Sequence, residues 1–77
     1  MGYLSLKNIL KSEYGAKKFY CKVDYKPYKI LVDLHFSLSE EGLKEFNKRV
    51  AFLENSVKDF SYSFNKYNRV HITCTLS

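Results

Sequence analysis

The 77-residue sequence has no tryptophan, one proline and three glycines. With so few chain breakers nothing in it reads as a linker or a low-complexity segment, and no internal repeat is visible. No stretch approaches the roughly 18 to 20 consecutive apolar residues of a membrane span. The start, Met1-Gly2-Tyr3-Leu4-Ser5-Leu6-Lys7, has no apolar run of the secretory kind, and Leu6 stands where a myristoylation signal carries Ser or Thr. These absences give the expectation of a complete, short, cytoplasmic gene product. Gly2, Gly15 and Gly42 are too scattered to build a phosphate-binding loop. The two cysteines, Cys21 and Cys74, read as small reduced core residues rather than as a disulfide or a metal pair.

What is present is a packed-protein composition. Apolar residues make up 45% and aromatic residues 17% of the chain, too rich in large side chains for a disordered segment. A chain of this length has room for one core, so residues 1–77 are expected to form a single domain. The formal net charge of +5 is uneven. Residues 1–29 hold seven lysines against Glu13 and Asp24, whereas residues 30–57 hold three basic and five acidic side chains. The positive excess therefore belongs to the first third of the chain.

Periodicity predicts six elements in the order α-β-β-α-β-β, an α+β fold. Ser5 is placed to cap a short helix carrying Leu6, Ile9 and Leu10 on one face, with Gly15 ending it. Phe19, Cys21, Val23 and Tyr25 then alternate with Lys18, Tyr20, Lys22 and Asp24, the period of a strand with one buried face. Lys26-Pro27 turns the chain into a second strand whose core side runs Tyr28, Ile30, Val32, Leu34 and Phe36. Ser37 or Ser39, followed by Glu40 and Glu41, starts a long helix over about 39–57, with Leu43, Phe46, Val50, Leu53 and Val57 as its apolar stripe. A second hairpin follows, with Phe60, Tyr62 and Phe64 on one strand and Val70, Ile72, Cys74 and Leu76 on the other. Four strands with one apolar face need cover, and the two helices supply it from one side of a mostly antiparallel sheet. The sequence leaves the strand order open, 1-2-4-3 being one arrangement that uses both hairpins.

The opposite face is then open and carries Tyr20, Leu31, Asp33, His35, Ser61, Ser63, His71, Thr73 and Thr75. Strand parity turns Cys74 away from His71 and Cys21 away from His35, which argues against a mixed thiol and imidazole site. His35, His71 and Asp33 would meet there if the second and fourth strands are neighbours, giving three metal-type donors. No closely spaced ligand pair supports that set, so two surface histidines is the plainer reading and no metal or other cofactor is assigned. No nucleophile has an oriented base in its local sequence, and no catalytic residue is assigned.

Lys17, Lys18, Tyr20, Lys22, Lys26, Tyr28 and Lys29 interleave cations with aromatic rings and form the candidate partner-binding patch. Lysines neutralise phosphates and rings stack on bases, so DNA or RNA is one candidate partner. Lysine on a hairpin is equally a protection against edge-to-edge aggregation. Leu31 and Phe52 fall off their elements' apolar faces and, with Tyr67 in the turn-like Asn65-Lys66-Tyr67-Asn68, are candidates for an exposed apolar contact or a homodimer seam. Seven tyrosines in a chain this short favour an interface, because the ring offers apolar area with a polar tip. The Lys, Asn, Tyr and Phe bias resembles that of small products of phages or mobile elements from AT-rich bacteria. The expected function is non-enzymatic: occupancy of a macromolecular partner, most simply a protein, as a small inhibitor or regulator of a host complex. Direct nucleic-acid binding is the alternative, and a metal-dependent hydrolase at His35, His71 and Asp33 is the weaker one. No membrane partner is expected.

Overall fold

The computed structural model describes residues 2–76. Helix α1, Tyr3–Tyr14, leads into strands β1, Lys17–Lys26, and β2, Lys29–Ser37; helix α2, Glu40–Ser56, leads into β3, Lys58–Phe64, and β4, Arg69–Leu76. The strands form an antiparallel sheet ordered β1-β2-β4-β3; the alternation predicts the four strands, and the structure supplies their order. Each half of the chain is thus a helix followed by a hairpin, and the halves join where β2 pairs with β4. Among the described residues no helix is long and apolar enough to cross a membrane.

Helix α1 begins earlier than its sequence suggests. Its cap position is Gly2, and Ser5 lies inside the helix without capping it. Leu6 and Leu10 are sealed inside, one turn apart, and Gly15 ends the helix at φ 67°, a left-handed geometry that costs glycine little. Ser39, not Ser37, caps α2: its Oγ accepts from the Gly42 N–H at 3.0 Å. Glu40 and Glu41 lie in the first turn, where the helix dipole favours them. Gly42 is also where the helices meet, since a Cβ there would stand 2.6 Å from the Tyr14 carbonyl oxygen. Arg49 bridges them further out, reaching Glu13 at 3.6 Å and Glu45 at 3.8 Å.

The interior lies between the helices and one sheet face. Leu6 and Leu10 from α1, and Phe46, Val50 and Leu53 from α2, cover Val32, Leu34 and Phe36 of β2 and Val70, Ile72, Cys74 and Leu76 of β4. Phe46 is its aromatic centre, meeting Tyr14, Phe36 and Tyr62 edge to face with centroids 5.4 to 6.0 Å apart. Burying each such side chain contributes about 1.5–3 kcal/mol.

Cover is complete over the central strands and thins at the edges. Tyr25, on the helix side of β1 by register, is 74% exposed, and Phe64 is 50% exposed. Tyr28 does not start β2; it occupies the hairpin turn at φ 70°, fully exposed. Both edge strands carry an irregularity near their start, with Lys18 at φ 56° and Asp59 at φ 52°. Such bulges twist an edge and discourage pairing with another chain.

Candidate functional site on the open sheet face

Register fixes what the uncovered face displays. His35 and His71 are direct partners across β2 and β4, with Tyr20 beyond His35 on β1 and Ser63 beyond His71 on β3. The next row runs Lys22, Asp33, Thr73 and Ser61. Toward the first hairpin's turn, Asp24, Leu31 and Thr75 follow, and Thr75 Oγ1 donates to Asp59 Oδ2 at 3.2 Å. At the opposite end Arg69 is tied down, with Nη1 donating to the Lys18 carbonyl at 2.6 Å and to Ser37 Oγ at 3.0 Å.

The two imidazoles stack with centroids 4.0 Å apart and planes 7° from parallel. His71 Nε2 donates to Asp33 Oδ1, and His35 Nε2 lies 3.5 Å from the same oxygen. The Tyr20 ring meets His35 at 6.1 Å, closing one flank. All three members of the cluster are half-buried. Beside it a shallow hollow of about 350 Å³ is lined by Lys22, Asp24, Leu31, Asp33, Asp59 and Thr75 among others. All three aspartates and both histidines of the chain thus belong to this face, whereas the five glutamates lie on the helices.

The lysine-bearing candidates lie on and around β1. Tyr20 and Lys22 share the open face, and Lys17 stands opposite Ser37 there. The bulge at Lys18 interrupts the simple alternation, which put Lys18 itself in that row. Lys26 pairs with Asp24 at 3.3 Å, and Lys29 faces Lys26 across the turn that presents Tyr28. Leu31, Phe52 and Tyr67 do not form one surface. Leu31 is half-buried on the open face, Phe52 is on α2 across the sheet, and Tyr67 is in the second turn beneath the Lys66 ammonium, 5.1 Å from its ring. Phe52 helps line a larger cavity of about 580 Å³ in the groove between α1 and α2, away from the histidines.

The cysteines remain on the covered side. Cys74 is buried, and burial, helped by Cys21, holds its thiol above the ordinary range, the reverse of an activated nucleophile. Cys21, expected to be buried, is only half-buried, because β1 is an edge strand. A hydrogen bond with Cys21, aided by burial, raises the Tyr3 hydroxyl. Comparison with family models, curated proteins and solved structures finds no match for this chain.

Proposed function

We propose that this chain is a non-enzymatic binding protein that occupies a partner protein through its first hairpin and the adjoining open sheet face. The supporting observation is that Tyr20, Tyr25 and Tyr28, on one lysine-bearing hairpin, are 64%, 74% and 100% exposed. Exposed tyrosines are costly to leave in water and effective at interfaces, where the ring is buried and the hydroxyl keeps a partner. The surrounding lysines steer the hairpin toward an acidic surface. Its action on this reading is coverage, inhibiting or regulating a larger complex by blocking a site.

Lys17, Lys18, Lys22, Lys26 and Lys29 on the first hairpin, with Tyr20 64% exposed among them, favour a second reading, DNA or RNA held by phosphate contacts and stacking. Salt separates the two. Contacts to about five phosphates would give a logarithmic salt slope near −4, whereas a contact centred on aromatic burial changes far less. The test is capture from the native host's lysate, with and without nuclease, by the wild-type chain and by a Tyr20→Ser, Tyr25→Ser, Tyr28→Ser variant verified as folded. A protein retained through nuclease treatment and elevated salt, and lost in the variant, is the expected result. Nuclease-sensitive capture transfers the proposal to nucleic acid, and equal capture by both chains overturns the hairpin as the contact surface.

A further inference from the structure

We propose that Asp33, His35 and His71 form a binding site for a divalent transition-metal ion of zinc-like softness. One donor atom from each residue lies within 4.8 Å of the others. A tetrahedral zinc ion with bonds of about 2.0–2.2 Å holds neighbouring donors about 3.4 Å apart. His35 Nε2 and Asp33 Oδ1, at 3.5 Å, already have that spacing. His71 Nε2 is in hydrogen-bond contact with the same oxygen, and a metal bound there displaces the proton between them and opens that contact to the donor spacing of the ion. The parallel rings must splay for both lone pairs to converge, and their half-exposed position leaves room to turn.

The placement comes from rigid elements. His35 and His71 are register partners on the two central strands, and Asp33 precedes His35 by one strand repeat on the same face. Two imidazoles and one carboxylate suit zinc, copper or nickel; calcium and magnesium prefer oxygen alone. Asp24 and Asp59 line the adjoining hollow and add negative charge, against Lys22, which faces Asp33 from β1. Arg69 is held away by Ser37 and the Lys18 carbonyl. Three protein donors leave a coordination position toward solvent, where water binds.

The site lies on the same open face as the proposed partner surface, but its test does not depend on that reading, because the metal is measured on the isolated chain. Calorimetric titration of the metal-free protein with a zinc salt is expected to show one equivalent bound. His71→Ala and Asp33→Asn should each weaken binding by more than the roughly 10–100-fold that loss of an outer-shell partner costs. A Cys21→Ser, Cys74→Ala variant should keep the site, which separates it from thiol binding. Proton spectra of the imidazoles should move with zinc in step with the heat. Absence of both signals up to about 1 mM zinc overturns the site. So does binding that survives in a folded His71→Ala chain.

Discussion

Phe36 and His35 are neighbours in the chain, yet one is sealed beneath Phe46 and the other is stacked on His71 in reach of water. The same division runs along β4, where Val70, Ile72 and Cys74 point under the helices while His71 and Thr73 point away. One face is filled by aliphatic and aromatic side chains of both helices; the other holds both histidines and every aspartate. The lesson is a separation of tasks. The strands bury alternate residues beneath the helices and expose the intervening ones, so substitutions on the open face are expected to leave the fold intact.

The largest expected effect tests that separation directly. Phe46→Ala removes the ring that meets Tyr14, Phe36 and Tyr62, and should cost about 3–5 kcal/mol in urea unfolding. His71→Ala removes a stacked, half-exposed ring and a solvent-screened contact with Asp33, and should cost less than about 1 kcal/mol. Comparable losses would mean that the open face is part of the fold's foundation, and the division would fail.

The first hairpin's tip lies beyond both faces, and it sharpens the contrast. Tyr28 holds φ 70° with no burial in return. A left-handed residue other than glycine costs about 1–2 kcal/mol, so Tyr28→Gly should stabilise the chain by up to about 1 kcal/mol after the added freedom of the unfolded glycine is counted. The same change should weaken partner capture, since it deletes the most exposed ring. A residue retained at a cost to stability is the pattern of a contact surface, whereas a stabilised variant with undiminished capture would remove Tyr28 from it.

Much of this arrangement was legible in the sequence, because a two-residue period has few solutions. Val32, Leu34 and Phe36 against Asp33 and His35, and Ile72 and Cys74 against His71 and Thr73, fixed the faces of the central strands. Once β2 and β4 are adjacent, His35, His71 and Asp33 have to share a face. Their direct alignment was not legible, since register depends on how two distant hairpins meet and no local residue records it. The bulges at Lys18 and Asp59 escaped for a related reason: neither Lys nor Asp at those positions announces a positive φ. Tyr25 and Phe64 have the parity of core residues and still face water, because alternation tells which side a side chain takes and not how far the helices reach. The Ser5 cap failed because α1 begins three residues earlier, with Gly2 at the cap and Tyr3 as its first residue.

The smallest expected effect is electrostatic and belongs to the covered face. Burial raises the Cys74 thiol above its ordinary value of 9.0 in the folded chain, so the unfolded chain releases that proton first as the solution turns alkaline. Over that window the unfolded state binds fewer protons than the native one, and stability falls as pH rises; below 9.0 both states hold the proton and the contribution is intact. Tyr14, raised chiefly by burial, and Tyr3, raised chiefly by its Cys21 hydrogen bond, add the same downward slope about one pH unit higher, around their ordinary 10.0. Cys74 therefore contributes to the slope from the lower end of the window. Denaturation midpoints measured from pH 8 to pH 10 should decline less steeply in Cys74→Ala than in the wild type, whatever that variant loses through its smaller volume. Equal slopes would show that water reaches Cys74 through the sheet, and the covered face would then be less sealed than its packing indicates.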